Sequence, residues 1–295
     1  MKNIIVITGG AGFVGANLIS FLLKNTKYKI LSIDNYSSGL KINHIKNKKV
    51  KYIKGNTKNI STLLNSKKNK INAIFHFGEF SRIYQSFLKM GECIDSNTVG
   101  SHAVFNFCLN NKIKLIYSAT SASLGNTGRD KNLSPYAFTK SVNLELLENL
   151  KKWFKMKYEI IYFYNVYGPK QISKGKMATV IGIFENAYKN KKPLPIVRPG
   201  TQSRKFTHIS DTVKVCYDAW KKNKCRHYSI SSKKDYSILE VAKLFRSKIK
   251  LLPTRSGERY ASALTNMNLS NKVYKNFGRI SLKTYIEKFK NTHKR

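Results

Sequence analysis

The sequence contains few acidic residues, few cysteines and no long apolar run. Its 295 residues include 15 aspartates and glutamates against 55 lysines and arginines, which gives a formal net charge of +40. No apolar stretch approaches the length that spans a bilayer, and the first residues resemble a core strand more than a signal sequence. These absences argue against a membrane protein, and we expect a cytoplasmic chain without membrane contacts.

The cysteines show neither the paired spacing of a zinc site nor the density of a disulfide framework. We expect reduced thiols and no bound metal. The four residues are Cys93, Cys108, Cys216 and Cys225.

The excess of positive charge is spread over nearly every loop and predicted helix surface. Dense runs occur only at residues 46–51 and 67–70, and they lack the interleaved aromatic residues that single-strand binders use. We therefore do not expect nucleic-acid binding as the main function, although a polyanion-binding protein remains an alternative. The positive field would help to attract an anionic nucleotide substrate.

A glycine-rich turn follows the first predicted strand. Residues 2–8 are predicted to form a buried strand, Gly9-Gly10-Ala11-Gly12-Phe13-Val14-Gly15 comes next, and an apolar-periodic helix follows. This order of strand, turn and helix predicts a dinucleotide-phosphate cradle, because a helix N-terminus presents free N–H groups to a pyrophosphate. Gly9, Gly12, Phe13, Val14 and Gly15 are the predicted contacts.

An acidic residue ends the second predicted strand, about 20 residues beyond the glycines. This residue is Asp34, and Asn35 follows it. A carboxylate at this place accepts hydrogen bonds from a ribose diol and repels a 2′-phosphate. The sequence therefore favours NAD over NADP.

Strands and helices alternate through the first half of the chain, which predicts a parallel sheet. Predicted strands lie at residues 2–8, 29–34, 50–54, 71–77, 114–118 and 159–163, and predicted helices at 60–65, 92–111 and 134–156. We expect a Rossmann-type doubly wound α/β fold with an NAD-binding domain at residues 1–167. Residues 168–295 should form a smaller C-terminal substrate-binding lobe, from which part of residues 205–230 returns to the sheet.

A tyrosine and a lysine lie four residues apart on the predicted helix at residues 134–156. On a helix, Tyr136 and Lys140 share one face. A nearby cation favours the tyrosine anion, which is what a base near neutral pH needs. The strand predicted at residues 114–118 leads into Ser118-Ala119-Thr120-Ser121-Ala122-Ser123 at the carboxyl edge of the sheet, where a hydroxyl could hydrogen-bond a substrate oxygen.

Together these motifs resemble the extended short-chain dehydrogenase/reductase family, in particular its nucleotide-sugar epimerases of the UDP-glucose 4-epimerase type. The resemblance extends over essentially the whole chain. Besides the glycine turn, Asp34-Asn35 and the Tyr136/Lys140 pair, it includes Phe75-His76-Phe77-Gly78, Asn97-Thr98-Val99-Gly100, Tyr164-Asn165-Val166-Tyr167-Gly168-Pro169, Gln202-Ser203-Arg204-Lys205-Phe206-Thr207-His208 and Arg255-Ser256-Gly257-Glu258.

The resemblance implies roles for individual residues. Thr120, Tyr136 and Lys140 match the catalytic residues, and Lys140 also holds the nicotinamide ribose. The nucleotide diphosphate is held by Asn165, Arg204 and Arg255. Further cofactor contacts are implied for Asn56, Phe77, Gly78 and Asn97. The family also implies a nucleotide-sugar substrate, UDP-linked in the epimerases it most resembles, and a homodimer.

Four features depart from the family pattern. Asn56 and Lys205 stand where acids are usual, and the segment between Thr120 and Tyr136 is short. Glu79 stands where an alanine is usual; its side chain could contact the substrate or point to solvent, and we favour solvent.

The residues after Thr120 bear on the reaction. Dehydratases and decarboxylating relatives generally carry an acid there, because elimination of water needs a group that protonates the leaving hydroxyl. Ser121 and Ala122 cannot do so. The sequence therefore favours 4-epimerisation through a transient 4-keto sugar. A dehydratase, a decarboxylase, a uronate epimerase and an NAD-sensing protein without turnover remain alternatives.

Overall fold

A computed structural model describes residues 2–123, 132–222, 227–256 and 273–293. The strands are β1 (Ile4–Thr8), β2 (Lys29–Asp34), β3 (Val50–Lys54), β4 (Ile71–His76), β5 (Lys114–Thr120), β6 (Tyr158–Phe163), β7 (Val166–Tyr167), β8 (Leu194–Val197), β9 (Ser203–Lys205), β10 (Thr207–His208), β11 (His227–Ser231), β12 (Asp235–Ser237), β13 (Ile249–Leu252) and β14 (Val273–Phe277). The helices are α1 (Phe13–Asn25), α2 (Ile60–Leu64), α3 (Ile83–Leu88), α4 (Met90–Ile94), α5 (Ser101–Asn110), α6 (Pro135–Phe154), α7 (Val180–Lys189), α8 (Ile209–Lys222), α9 (Ile238–Phe245) and α10 (Leu282–Thr292).

Eight strands form the central sheet in the order β14-β11-β6-β5-β4-β1-β2-β3, and every neighbouring pair is parallel. The chain runs outward from β1 to β3 and then returns to place β4 on the other side of β1. This reversal creates a crevice at the carboxyl ends of β1 and β4, where open α/β sheets bind ligands. The predicted Rossmann-type fold is confirmed.

Helices cover both faces of the sheet, which explains why its inner strands are apolar on both sides. Along β1, Ile4 and Val6 pack in one core with side chains of α2, α5 and α6. Ile5 and Ile7 pack in a second core with side chains of α1 and α8. All four isoleucine and valine side chains are buried.

A third core belongs to the C-terminal lobe, where side chains of α7, α9, α10 and β8 pack together. Short strand pairs β12-β9 and β13-β8 complete the lobe. Between these lobe segments, α8 packs on α1 and β11 joins β6 in the sheet. The lobe and the sheet are therefore interlocked along the chain, and we keep the division at residue 168 as a proposal.

The predicted strands and helices of the first half are present, with one difference. The helix expected at residues 92–111 consists of α4, a π-helical turn at Asp95–Gly100, and α5. Cys93, Cys108 and Cys216 are free and buried, as predicted. Cys225 lies outside the described residues, as do Gly257 and Glu258 of the last family motif. Within the described segments no helix is long and apolar enough to cross a membrane.

Candidate active site

A cleft of about 520 Å³ runs along the carboxyl edge of the sheet. Most of the residues predicted to form the site line it: Gly9, Gly12, Phe13, Val14, Gly15, Asp34, Asn35, Phe77, Gly78, Thr120, Tyr136, Lys140, Asn165, Arg204 and Arg255. The ends of β1, β2, β4, β5 and β6 bring these residues together from distant parts of the sequence.

The glycine turn has the close backbone packing that its spacing predicts. Gly9 has a positive φ of 70°, and a Cβ atom there would lie 2.7 Å from the carbonyl oxygen of Phe77. A Cβ atom on Gly15 would lie 2.2 Å from the carbonyl oxygen of Gly9, so α1 packs directly against the turn. The first N–H groups of a helix have no partner within the helix. Because Gly12 and Phe13 line the cleft, those groups suit a pyrophosphate.

Asp34 lies at the end of β2 and is buried. Its carboxylate accepts hydrogen bonds from the backbone N–H groups of Ala11, at 2.9 Å, and Tyr36, at 2.8 Å. Burial raises the pKa of Asp34, while these two N–H groups oppose the rise. A carboxylate has about four acceptor positions, so two bound N–H groups leave room for a ribose diol. The donor set of this half of the cleft therefore fits NAD.

Tyr136 and Lys140 lie in the first turns of α6, and both are buried. The helix begins where the Ser134 hydroxyl accepts a hydrogen bond from the Ala137 N–H at 3.1 Å, with Pro135 in the first turn. Burial raises the pKa of Tyr136 to about 12, and a hydrogen bond with Thr120 opposes this rise. Tyrosine, threonine and lysine thus meet at the cleft as predicted.

The prediction that Glu79 points to solvent is wrong. Its side chain is 2% exposed and forms an ion pair with the Lys140 ammonium group. The other carboxylate oxygen accepts hydrogen bonds from the hydroxyls of Ser101, at 2.8 Å, and Tyr117, at 2.9 Å, and from the Asn143 amide at 3.3 Å. Four donors from α5, β5 and α6 turn the carboxylate inward, because a buried charge needs partners.

Arg82 also lines the cleft, three residues beyond Glu79. Its guanidinium donates to the carbonyl oxygen of Met177 from Nε, at 3.0 Å, and from Nη2, at 2.6 Å. A third bond runs from Nη1 to the carbonyl oxygen of Ser81 at 2.8 Å. Burial lowers the pKa of Arg82, and no carboxylate forms an ion pair with it in the described part of the chain. The sequence predicts no role for Arg82.

Asn97 and Asn56 do not line the cleft in the described structure. The Asn97 amide binds both backbone groups of Phe80, accepting from its N–H at 2.6 Å and donating to its carbonyl at 3.1 Å, which holds the loop after β4. The Asn56 side chain accepts from the Lys58 N–H at 3.1 Å and caps a short 3₁₀ turn. Their contacts with the cofactor stay predictions.

The residues predicted to hold a nucleotide diphosphate lie on the lobe side of the cleft. The Asn165 amide donates to the carbonyl oxygen of Lys205 at 2.9 Å. The Arg204 guanidinium donates to the carbonyl oxygen of Ser203 at 2.8 Å, and Arg255 stacks over the Tyr84 ring at 5.5 Å. Lys205, which stands where the family has an acid, is buried and pairs with Asp235 of β12 at 3.0 Å.

The family assignment follows from comparison with known proteins. A model of the NAD dependent epimerase/dehydratase family matches residues 5–231. The chain belongs to this family. The resemblance found in the sequence is thereby confirmed, and NAD is the cofactor of this family of enzymes.

Individual relatives differ in activity. An ADP-L-glycero-D-manno-heptose-6-epimerase of Brachyspira hyodysenteriae is 31% identical over 225 residues, which cover 72% of this chain and 70% of that protein. A dTDP-D-glucose 4,6-dehydratase of Dictyostelium discoideum is 29% identical over 266 residues, covering 81% of this chain but only 60% of the dehydratase. The crystal structure of a UDP-glucose 4-epimerase from Thermotoga maritima, with UDP-glucose, has a TM-score of 0.86 to this chain at 22% sequence identity. The superposition covers 98% of this chain and 99% of the Thermotoga chain.

Proposed function

We propose that this protein is a nucleotide-sugar 4-epimerase that uses NAD and most closely follows UDP-glucose 4-epimerases. The observation that carries this proposal is the set of acids at the cleft. Among the described lining residues only Asp34 and Glu79 are acidic. Asp34 lies in the cofactor half, and the two oxygens of Glu79 are occupied by the ion pair with Lys140 and by three neutral donors.

This distribution argues against a dehydratase. Elimination of water needs a proton donor for the leaving hydroxyl. Ser121 and Ala122, which follow Thr120 at the cleft, carry no such group. Epimerisation needs only one proton-transfer group, because the same hydroxyl loses and regains its proton.

The residues divide the chemistry as follows. Tyr136 takes the proton from the sugar hydroxyl and later returns it, while Thr120 holds the shared hydrogen bond. Lys140 would donate a hydrogen bond to the nicotinamide ribose of the cofactor. When NAD is bound, its nicotinamide would supply the hydride acceptor and donor for the sugar carbon, and return of the hydride to the opposite face of that carbon would invert it. Asn165, Arg204 and Arg255 would hold the diphosphate while the sugar turns.

UDP is the nucleotide that we propose, since the family resemblance is closest to UDP-sugar epimerases and the Thermotoga structure carries UDP-glucose. The identity of the curated relatives shows that heptose and dTDP-sugar substrates also occur among similar chains. The test is therefore a panel. The purified protein with NAD is incubated with UDP-glucose, UDP-galactose, UDP-glucuronate, dTDP-glucose and ADP-heptose, and the products are separated by chromatography.

We expect interconversion of UDP-glucose and UDP-galactose without loss of water or carbon dioxide. Tyr136→Phe should reduce turnover at least about 10²-fold while NAD affinity changes little, because only the proton-transfer group is lost. Tyr28→Phe is the matched control, because Tyr28 is partly buried at the edge of the second core, away from the cleft. A dehydrated product from the parent protein, or full turnover in Tyr136→Phe, would contradict the proposal.

We also propose a homodimer. α3, α4 and α6 are neighbours in the fold, and they expose apolar side chains that the described chain does not cover. On α6, Phe138 is 53% exposed and Val142 is 38% exposed, and they are four residues apart. A second copy of the chain would cover this surface, here called the α3/α4/α6 face, which also includes Phe87, Leu88, Met90 and Ile94.

A further inference from the structure

The lysine of the tyrosine–lysine pair carries a counter-ion. The Lys140 ammonium group pairs with Glu79 and also donates to the carbonyl oxygen of Ser118 at 2.5 Å. Both side chains of the pair are almost completely buried, at 4% and 2% exposure. Opposite charges held together partly cancel at a third site, so the paired Lys140 favours the Tyr136 anion less than an unpaired ammonium group would.

A second cation, Arg82, lies near the tyrosine, and no carboxylate among the described residues forms an ion pair with it. Arg82 precedes α3, and its neighbours Phe80 and Ile83 pack against the small core that contains Tyr136 and Cys93. On α3, the Ser86 hydroxyl accepts a hydrogen bond from the Tyr136 N–H at 3.2 Å, which ties that helix to α6.

The three bonds of Arg82 described above all end on neutral carbonyl oxygens. Its charge is therefore uncompensated within the described cleft.

We propose that Glu79 neutralises Lys140 and that Arg82 supplies the uncompensated positive charge that favours the Tyr136 anion. The inference rests on the proposed role of Tyr136 as the base. Glu79 and Arg82 act here as positioning residues for charge. Lys140 keeps its role as a hydrogen-bond donor, because an ammonium group has three N–H bonds and only two are used by Glu79 and Ser118.

The signs of the charge effects on Tyr136 agree with this division. The negative charge of Glu79 raises the pKa of Tyr136, and the positive charge of Arg82 lowers it. Burial lowers the pKa of Arg82, and the interaction with Tyr136 partly opposes this by raising it. The titratable and polar groups that face Tyr136 from the surrounding elements are Glu79, Arg82, Cys93, Tyr117, Thr120 and Lys140.

The test is the pH dependence of turnover in the NAD-loaded enzyme. A base works only when deprotonated, so activity rises with pH through the pKa of Tyr136. Arg82→Gln should move this acidic limb up by about one pH unit, and Glu79→Gln should move it down by about one unit. The double variant should return the limb close to its position in the parent. Arg82→Lys, which keeps the charge, should leave the limb almost unchanged.

Two variants of equal charge change serve as controls. Glu159→Gln removes a buried carboxylate at the opposite, amino edge of the sheet, where it pairs with Lys114 at 3.3 Å. Arg246→Gln removes an exposed guanidinium at the far end of α9. Both should leave the limb in place. A limb that stays fixed in Arg82→Gln and Glu79→Gln would overturn the proposal, and so would one that moves as far in Arg82→Lys as in Arg82→Gln.

A titration without turnover separates this proposal from the proposed function. The ring carbon NMR signals of ¹³C-labelled tyrosines are followed with pH in the NAD-bound protein. The signal of Tyr136 is the one that is missing from the spectrum of Tyr136→Phe. Opposite shifts of its midpoint in Arg82→Gln and Glu79→Gln would support the charge assignment even if no nucleotide sugar were turned over. Equal midpoints in all variants would overturn it even in an active epimerase.

Discussion

Asp34 is the residue that decides between the two nicotinamide cofactors. Asp34→Asn keeps a side-chain oxygen for the Ala11 or Tyr36 N–H but removes the negative charge. We expect NAD affinity to fall by about 1.5–3 kcal/mol, the range for hydrogen bonds to a charged group, while NADP affinity rises. Calorimetry with both cofactors measures the ratio. Asp218→Asn, on the exposed side of α8, is the control. An unchanged ratio would show that Asp34 does not face the ribose.

Arg204 and Arg255 differ in burial, so their contributions to diphosphate binding should differ. Arg204 is half-buried and Arg255 is exposed. We expect Arg204→Ala to weaken UDP binding by about 2 kcal/mol and Arg255→Ala by about 1 kcal/mol, because solvent screens the exposed charge. Arg279→Ala, another exposed arginine, should have no effect at fixed salt. If all three variants bind UDP equally, the overall field and not these side chains holds the diphosphate.

Glu79 shows which part of the site could not be predicted from the sequence. Tyr136 and Lys140 were predicted from their spacing on one helix, and Thr120 was predicted from the family resemblance at the end of a strand. The orientation of Glu79 depends on Lys140, Ser101, Tyr117 and Asn143, which lie 22 to 64 positions away in the sequence. The available signal was an acid, Glu79, that follows β4 after Phe77 and Gly78, with an arginine three residues later.

At the scale of elements, the glycine turn and α1 act as one unit. A Cβ atom on Gly15 would lie 2.2 Å from the Gly9 carbonyl oxygen and 2.7 Å from the Gly10 Cα, and no flexible side chain can give way. Gly15→Ala should therefore push α1 from the turn, weaken NAD binding at least about tenfold and destabilise the fold by about 1–3 kcal/mol.

Gly91 provides a matched control for this prediction. It lies within α4, and a Cβ atom there would meet no atom within 4 Å. Gly91→Ala should stabilise the protein by up to about 1 kcal/mol through helix propensity and leave NAD binding unchanged. Thermal unfolding and NAD titration compare the two variants. Equal behaviour of Gly15→Ala and Gly91→Ala would contradict the close packing at the turn.

The periodic elements were predicted well because each strand and helix records its own burial pattern in the sequence. β1 and β4 are apolar on both faces, and α6 has a serine cap followed by proline. The π-helical turn at Asp95–Gly100 has no such local signal. It lies where the Asn97 side chain reaches the backbone of Phe80, so contacts with a distant loop accompany the change of helical pitch.

At the scale of the whole molecule, the α3/α4/α6 face leads to a prediction about assembly. Phe138→Lys would place a charge among apolar side chains and repel the many lysines of a second copy. We expect the variant to sediment as a monomer where the parent sediments as a dimer, with the fold retained because Phe138 is exposed in one chain. Trp153→Lys, at the end of α6, is an exposed aromatic control. A monomeric parent protein would refute the dimer.

Because β11 and β14 belong to the central sheet, we expect that the first 167 residues do not fold as an autonomous unit. A fragment ending there would leave the backbone groups of Ile160–Phe163, which pair with His227–Ile230, as an open edge that invites association between fragments. It would also uncover the side chains of β1 and β6 on which Val213, Cys216 and Trp220 rest. Limited proteolysis within the lobe should therefore unfold both halves together. Mixing two separately expressed halves should not restore the cleft, because neither half is expected to fold alone.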